Sequence, residues 1–351
     1  MKHKKLFPEI KLVLSVAYYL AANFAGLAVP VILYGAYRGN WFCQILALIA
    51  VLDYAVPLHP APKGASPLFR ELTNWNDGIR SYFDGEVIEE GGDNSLNYDR
   101  NKNYCVCYFP HSLFGIGYGL IVEHLQNKYG MEFFFAGADI IFKIPFIRRI
   151  MTWWGLASCA APVLKENLKL AYPHNALMLQ PDGIAGMFYG LEQEQVVLGR
   201  RKGFCRVALQ AGCELVPCYA FGANDMFSRK WNHKSRAARL SRKLRTSLVF
   251  WTDRFGIPFG CVPLRTKILV VLGKPIPVSE VANPTSEQID ALHAKFVTEL
   301  KALYDRHKHR MGEHWARTHP KLYLETEEPE SVIPSESSPR RIDNLPNPKE
   351  E

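Results

Sequence analysis

The sequence predicts an α/β fold, with a mainly parallel sheet flanked by helices and preceded by a helical hairpin in the membrane. In the middle of the chain, short apolar runs alternate with segments whose apolar residues recur at helical spacing. Parallel strands need long crossover connections, usually helices, so this alternation indicates a mainly parallel sheet covered on both faces. The start of the chain is membrane-like and the end is polar. We therefore expect a membrane-embedded hairpin at 1–60, a cytosolic α/β domain at 61–324 and a disordered tail at 325–351.

The first 60 residues contain two apolar runs joined by a short break. The first run extends from Leu12 to Tyr37, the break is Arg38–Asn40, and the second run extends from Trp41 to Leu58. At about 1.5 Å per residue, each run is roughly long enough to cross the hydrocarbon core of a bilayer. Lysines before the first run favour a cytosolic N-terminus and globular domain. Asp53 is costly at the membrane centre, which favours a transmembrane hairpin that is shallow, or a re-entrant one, over a clean crossing. Two buried helices of a soluble core are the alternative.

The stretch Tyr104–Gly119 is the centre of the predicted sheet. An unbroken apolar run ends at Phe109, and Pro110, His111 and Ser112 follow before a glycine-punctuated apolar segment of helical character. Proline has no N–H for a strand ladder and holds the preceding residue extended, so the strand ends there and His111 is the next side chain to emerge. Ligands bind at the carboxyl ends of strands in α/β sheets, which makes His111 a candidate for chemistry. A structural histidine, satisfied by a backbone carbonyl, is the alternative.

The remaining elements follow from the same alternation and from capping signals. Strands are expected at Glu132–Gly137, Ala176–Gln180, Glu214–Phe221 and Lys267–Leu272, and helices at Leu68–Phe83, Ile144–Trp154 and Lys202–Ala211. The last helix is the clearest element, because Thr285 and Gln288 form a capping box ahead of apolar residues at helical spacing.

Composition narrows the classes of partner. The net charge of +8 suits an anionic partner, and lipid headgroups or a phosphorylated ligand explain it equally well. Nucleic acid is not expected, since the basic residues form no stripe on a known nucleic-acid module. The densest basic segment, Arg229–Arg245, is equally consistent with a surface helix on anionic lipid. The eight cysteines show no C-x-x-C pair and no cysteine–histidine ligand spacing, so no metal site is expected.

Three loops are candidates for a shared site. They are Phe109–Gly115, Gln180–Gly186 and Arg200–Phe204. In the third loop, two arginines and a lysine precede a helix whose free N–H groups and dipole already favour an anion, which suits a phosphate-bearing ligand. A solvated basic turn is the alternative. Phe221 and Asn224 follow a buried strand and are expected either to line the same crevice or to form a structural turn.

Common catalytic signatures are absent from the sequence. It contains no G-x-S-x-G elbow, no P-loop and no H-E-x-x-H, and its glycines do not complete a dinucleotide fingerprint. No histidine is followed by an aspartate five residues on, the pairing that orients the base in phosphoglycerol acyltransferases; after His111 that position is Ile116.

Several segments in one order resemble the type-2 family of acyl-CoA:diacylglycerol acyltransferases, with its monoacylglycerol and wax-alcohol relatives. The segments are Phe-Pro-His-Ser at 109–112, Arg-Lys-Gly-Phe at 201–204, Leu-Val-Pro-Cys-Tyr-Ala-Phe-Gly-Ala-Asn at 215–224, Pro-Leu-Arg-Thr-Lys at 263–267 and Leu-Gly-Lys-Pro-Ile-Pro-Val at 272–278. The resemblance implies a glycerolipid acyltransferase-like fold.

Two positions depart from the pattern of that family. Phe109 stands where animal members have His and plant members have Glu, and Ser112 makes the motif closer to the plant or algal form. In the second loop, the Gly-Gly-x-x-Glu of the family corresponds to Asp182-Gly183-Ile-Ala-Gly186, so the glutamate is replaced by glycine. If that acid orients the histidine, Asp182 is the nearest substitute.

The resemblance implies roles for particular residues. His111 would be the general base, Asp182 its orienting acid, and Ser112 either a donor to the developing oxyanion or, as we favour, the cap of the following helix. The phosphates of coenzyme A would bind at the turn formed by Arg200, Arg201, Lys202 and Gly203. The acyl and acceptor chains would contact Phe109, Pro110, Gly183, Phe221 and Asn224.

The resemblance also implies the reaction and its place. We expect triacylglycerol synthesis from diacylglycerol, with acyl-CoA as co-substrate and neither metal nor further cofactor. The expected location is the endoplasmic reticulum membrane, with lipid droplets as a second location. A monoacylglycerol or fatty-alcohol acceptor, and a catalytically weak lipid-binding scaffold, are the alternatives. The oligomeric state is left open, with a homo-oligomer among the candidates.

Overall fold

A computed structural model describes residues 29–59, 61–73, 76–90, 98–244 and 246–329. The helices are α1 (Trp41–Ala55), α2 (Pro67–Leu72), α3 (Asn76–Phe83), α4 (Tyr118–Tyr129), α5 (Ile147–Trp153), α6 (Ala161–Asn167), α7 (Gly183–Gly186), α8 (Gly203–Ala211), α9 (Arg236–Leu244), α10 (Ser286–His307) and α11 (Glu313–Thr318). The strands are β1 (Glu86–Glu89), β2 (Tyr104–Phe109), β3 (Phe133–Gly137), β4 (Leu156–Ser158), β5 (Ala176–Leu179), β6 (Gln195–Val196), β7 (Glu214–Phe221), β8 (Ser228–Arg229), β9 (Trp251–Thr252), β10 (Leu269–Leu272) and β11 (Tyr323–Leu324).

Seven of these strands form one mixed sheet that is mostly parallel. Their order is β1-β10-β7-β2-β5-β3-β4. Every neighbouring pair is parallel except β10 and β7, which are antiparallel. The predicted α/β class with a mainly parallel sheet is therefore confirmed.

Strand β2 lies in the middle of this sheet, between β7 and β5, and all six of its residues are buried. Successive side chains of a strand point to opposite faces. Accordingly, Val106 and Tyr108 belong to the hydrophobic core on one face, whereas Cys107 and Phe109 belong to the core on the other. The sheet is thus covered on both sides, and its central strand delivers the residue after Phe109–Pro110 to the carboxyl edge.

Most predicted element limits agree with the structure, and the differences have physical causes. Strands β2 and β7 have the predicted bounds, and β3, β5 and β10 differ by a residue or two. The predicted helix at 68–83 is two helices, α2 and α3. Strand β1 was not predicted, because its four residues begin and end with glutamate and carry no apolar run. It is held by parallel pairing with β10.

Helix α10 confirms the predicted capping box. The Thr285 side chain accepts a hydrogen bond from the Gln288 backbone N–H, and the Gln288 side chain accepts one from the Thr285 N–H. Its apolar side packs against the sheet, with Phe296 and Leu303 fully buried.

The described part of the N-terminal segment is helical on both sides of the predicted break at residues 38–40. Residues 29–37 and α1 are helical, with large apolar side chains exposed, and Trp41 is 70% exposed. Within the described ranges, no helix is both long and apolar enough to span a bilayer. The predicted first run lies mostly outside the described residues. Asp53 is buried and paired with Arg149, 2.5 Å away, and with Arg148 at 3.5 Å. These ion pairs join α1 to α5.

The chain after α11 remains structured beyond the predicted domain limit at 324. Strand β11 pairs with β6, and the Glu325 carboxylate accepts hydrogen bonds from the backbone N–H groups of residues 198, 199 and 200. Glu327 forms an ion pair with Lys301. We call residues 322–327 the C-terminal strap.

Candidate active site

A cavity of about 1420 Å³ lies at the carboxyl edge of the sheet. Its walls are mainly apolar, and polar side chains line it as well, among them Arg70, Glu71, His111, Glu132, Gln180 and Arg201. All three loops singled out in the sequence contribute to it, through His111, Gly183 and Arg201. A mostly apolar cavity with a few convergent polar groups is the usual form of a small-molecule site.

His111 is the imidazole in this cavity. It follows β2 directly after Pro110, so the strand end fixes its backbone, and the Gln180 amide donates to the His111 carbonyl at 3.3 Å. Ring atom Nδ1 lies 3.2 Å from the Ser112 carbonyl oxygen. A carbonyl only accepts, so Nδ1 carries the proton and Nε2 keeps its lone pair. The ring is therefore set up to accept a proton at Nε2.

Burial lowers the pKa of His111 to about 4, because desolvation disfavours the imidazolium, and the Arg229 charge adds to this effect. At neutral pH the imidazole is consequently uncharged. Its Nε2 lone pair is then free to accept a proton, and the lowered pKa makes it a weaker base than an ordinary histidine.

Asp182 does not contact the ring of His111, contrary to the expected role of an orienting acid. Its Oδ2 accepts a hydrogen bond from the backbone N–H of His111 at 2.9 Å. The carboxyl group is fully buried and its Oδ1 has no partner among the described residues. Desolvation raises the pKa of Asp182 to about 8, so the group is mostly neutral at pH 7. Asp182 therefore fixes the backbone of His111, and the Ser112 carbonyl orients the ring.

Gly186 makes room for this arrangement. A Cβ at residue 186 would lie 2.3 Å from Asp182 Oδ2 and 3.0 Å from the His111 Cβ. Asp182 and residue 186 lie four residues apart at one short helix, α7, and four-residue spacing places side chains on the same face. The space next to His111 thus admits one carboxylate, and here Asp182 provides it.

Ser112 does not cap the following helix, as we had favoured. Helix α4 begins after Gly117 and has no side-chain cap. The Ser112 hydroxyl instead donates to the Ala223 carbonyl at 2.5 Å, and the residue is 2% exposed. This hydrogen bond joins the His111 loop to the turn after β7. Because the hydroxyl proton of Ser112 is donated to a carbonyl, it is not available to a developing oxyanion.

The basic turn is divided between the cavity and the surface. Arg201 and Gly203 line the cavity with His111. Lys202 Nζ lies 2.7 Å from Asp290, and Arg200 is exposed, with its backbone N–H donated to Glu325. Arg201 is therefore the basic side chain of this turn that lines the cavity.

The other predicted substrate-contacting residues lie elsewhere. Among the described residues, the cavity walls do not include Phe109, Pro110, Phe221 or Asn224. Phe109 packs on Phe296, and Phe221 stacks on Tyr304, with ring centroids 5.3 Å apart. These side chains build the core that supports the loops.

Asn224 belongs to a buried polar network that the sequence did not reveal. Its Nδ2 donates to Glu194 at 2.7 Å, and its Oδ1 accepts from Arg229 at 3.0 Å. Arg229 also donates to the carbonyls of Met187, Tyr189 and Gly190. This buried guanidinium holds the segment that follows α7. In the sequence, Arg229 begins the densest basic segment, and a surface helix was one prediction for that segment.

No group of three or more His, Cys, Asp or Glu side chains close enough to hold a metal occurs in the described part of the chain. The cationic side chains that line the cavity are Arg70 and Arg201. The acidic side chains Glu71 and Glu132 line it too, so the cavity presents both signs of charge beside its apolar walls. Arg70 lies on the short helix α2, where the sequence carried no motif to mark it.

Comparisons with known proteins identify the family of this chain. The profile of the family described as diacylglycerol acyltransferase matches residues 39–318. Diacylglycerol O-acyltransferase 2 of Dictyostelium discoideum is 28% identical over 66% of this chain and 72% of its own length. Diacylglycerol O-acyltransferase 2A of Umbelopsis ramanniana is 29% identical over 76% and 78%, respectively. Human 2-acylglycerol O-acyltransferase 3 is 28% identical over 70% and 75%.

Among solved structures, the 1-acyl-sn-glycerophosphate acyltransferase PlsC of Thermotoga maritima aligns over 85% of this chain and 95% of its own, with a TM-score of 0.40 and 14% identity. The profile match extends from the apolar helix α1 through every loop of the cavity to the end of α11. The chain therefore belongs to the diacylglycerol acyltransferase family.

Proposed function

We propose that the chain is an acyl-CoA:diacylglycerol O-acyltransferase that makes triacylglycerol, with His111 as general base. The observation that carries this proposal is the single cavity that joins a neutral imidazole, a cavity-facing arginine and a large apolar volume. Family membership and relatives named for this reaction support the substrate assignment.

The reaction requires one proton acceptor. Nε2 of His111 takes the proton of the acceptor hydroxyl while the hydroxyl oxygen attacks the thioester carbonyl carbon. The tetrahedral intermediate then collapses, the carbon–sulfur bond breaks, and the imidazolium returns the proton to the departing thiolate. Because thioesters are activated, one base and good positioning are sufficient, and the base accounts for about 10²–10⁴ in rate.

The two substrates have different requirements. Arg201 would pair with the phosphates of coenzyme A, which its position in the cavity lining supports, while the apolar walls would accept the acyl and glyceride chains. The exposed apolar side chains of residues 29–37 and α1 suit a lipid phase, and we infer a membrane-bound enzyme at the endoplasmic reticulum or lipid droplets. The ion pairs of Asp53 with α5 would keep α5 next to the lipid phase. Because Ile147 and Met151 of α5 line the cavity, the cavity would lie next to the lipid as well.

A second acceptor has specific support. Human 2-acylglycerol O-acyltransferase 3 is about as similar to this chain as the diacylglycerol enzymes are, so monoacylglycerol is the competing substrate.

The acceptor can be tested with the full-length chain in proteoliposomes, using labelled acyl-CoA and equal amounts of diacylglycerol, monoacylglycerol and a fatty alcohol. We expect labelled triacylglycerol as the main product. Label mainly in diacylglycerol or wax ester would reassign the acceptor. Acyl-CoA binding without any labelled neutral lipid would support the scaffold alternative.

A further inference from the structure

Exposed apolar side chains cluster on a part of the surface far along the chain from the N-terminal helices. They lie on α9 and in the segments that follow β8 and β9. We call Trp231, Leu240, Leu244, Phe255, Ile257 and Phe259 the rim. Phe255 is 69% exposed and Leu244 is 54% exposed. Single exposed apolar residues are ordinary on a protein surface, but a cluster of this size marks an interaction site.

Helix α9 has three distinct sides. Ala238 and Ser241 are fully buried and fix the helix to the domain. Leu240 and Leu244, one turn apart, are exposed. Arg236 lies one turn before Leu240, so a basic side chain continues the apolar row toward the start of the helix. A helix with an apolar strip beside a basic one is typical of helices that lie in the interface of a bilayer.

Aromatic contacts connect the rest of the rim. Trp231 packs on Phe250 with ring centroids 5.4 Å apart, and Phe250 packs on Phe259 at 5.2 Å. The loop that carries Phe255 and Ile257 is shaped by Asp253, whose Oδ1 accepts both of their backbone N–H groups. The loop is therefore ordered while its apolar side chains remain exposed.

The exposed charged side chains of the described residues in 230–259 all have one sign. Seven basic residues in this range are exposed among the described ones: Lys230, Lys234, Arg236, Arg239, Arg242, Lys243 and Arg254. The acidic residue within 230–259 is Asp253, which is buried and occupied by the loop it shapes. The surface thus presents positive charge and apolar side chains together, which is complementary to anionic lipid.

The rim also belongs to the cavity. Trp231, Leu244 and Phe259 are exposed to solvent and at the same time line the cavity that holds His111. An apolar surface that continues into an apolar cavity provides a route that a lipid chain can follow without crossing water.

We propose that the rim is a second membrane contact, independent of the N-terminal helices, which lies on an anionic phospholipid surface and opens the cavity toward it. Each basic residue near such a surface strengthens binding roughly fivefold, and the contribution falls as salt shortens the Debye length. The contact does not depend on acyl transfer, so it is tested separately from the proposed reaction.

The test uses the full-length chain in proteoliposomes of phosphatidylcholine and phosphatidylglycerol with a phosphatidylglycerol analogue that carries a diazirine on its acyl chain. After illumination, mass spectrometry maps the lipid adducts. We expect adducts on peptides from 230–259, and none on the exposed side of α10. The variant Arg236→Glu/Arg239→Glu should reduce rim labelling by roughly tenfold or more. The control Lys295→Glu/Arg317→Glu makes the same charge change at exposed sites on α10 and α11, and should leave rim labelling unchanged.

Three results would overturn the proposal. One is an absence of adducts from 230–259 when residues 29–56 are labelled. Another is rim labelling that the two charge reversals on α9 leave intact. The third is protection of the rim that appears without lipid and grows with protein concentration, because a second copy of the chain would then be its partner.

Discussion

His111 owes its chemical state to backbone groups. A carbonyl holds Nδ1, a buried carboxyl group holds the His111 N–H, and desolvation keeps the ring neutral.

The burial of His111 also makes the stability of the fold depend on pH. Between pH 4 and 6.5 the unfolded chain binds a proton that the folded His111 does not, so His111 makes the free energy of unfolding rise with pH across that window.

The pH dependence of the reaction follows from the lowered pKa of His111. The base remains unprotonated until the pH falls to about 4, so we expect the acid limb of kcat/KM to have its midpoint near 4. The measurement is the initial rate of triacylglycerol formation from pH 4 to 8 at low acyl-CoA concentration. A midpoint near the ordinary histidine value of 6.5 would show that the ring is solvated, against the site described.

The space shared by Asp182 and Gly186 predicts coupled substitutions. Gly186→Ala should lower the free energy of unfolding by about 1–3 kcal/mol and reduce activity, because the new Cβ meets Asp182 and His111. Asp182→Ala leaves the His111 N–H unpaired, at a cost of about 1–3 kcal/mol. In the double variant the second change should cost less than it does alone, since the overlap with the carboxylate is gone. Denaturation of the four proteins measures this coupling, and strictly additive costs would contradict it.

The sequence predicted the position of His111 correctly but was misleading about its neighbours Asp182 and Gly186. A proline-ended apolar run placed the histidine correctly, because that signal is local. Gly186 looked like a lost acid, and Asp182 like a partner of the ring. The actual contact, between the Asp182 carboxyl group and a backbone N–H 71 positions earlier, depends on the meeting of two strand ends and leaves no local pattern.

At the scale of elements, buried strands were the easiest to predict. Strand β2 is an uninterrupted apolar run, β7 carries no charged residue after Glu214, and every residue in both strands is buried. Strand β1 and the direction of β10 were not predictable in the same way, because pairing partners decide them. The end of the C-terminal strap is a similar case: the composition from Glu325 onward indicated disorder, whereas the Glu325 carboxylate accepts hydrogen bonds from the backbone N–H groups of residues 198, 199 and 200.

The strap should therefore affect the binding of coenzyme A. Glu325 fixes the turn just before Arg201, and β11 pairs with β6 ahead of it. We expect Glu325→Ala to raise the KM for acyl-CoA by roughly tenfold, the effect of losing hydrogen bonds to one charged group, with a smaller change in kcat. Steady-state kinetics against acyl-CoA concentration measures both.

The matched control for the strap is Glu328→Ala, which removes the same charge at an exposed position three residues later. It should leave the KM unchanged. Equal KM values for the Glu325 and Glu328 variants would show that the strap has no influence on Arg201.

At the scale of the molecule, the cavity results from strand ends and loops that are distant in sequence. The sheet order places β2 between β5 and β7, so the loops after β2 and β5 meet at one edge. Helices α2, α5 and α9 close the remaining walls through residues such as Arg70, Ile147 and Leu244. Family resemblance predicted the loops that meet there, but the walls from α2 and α9 needed the structure, because neither helix carries a motif.

The central claim is that His111 is the base of this cavity, and the most direct measurement is kcat for triacylglycerol formation by His111→Ala in proteoliposomes. The control is His314→Ala, the same truncation at an exposed histidine on α11. We predict that kcat falls by about 10²–10⁴ in His111→Ala, that the KM for acyl-CoA is retained, and that the His314 variant matches the wild type. A kcat for His111→Ala equal to that of the wild type would contradict the assignment.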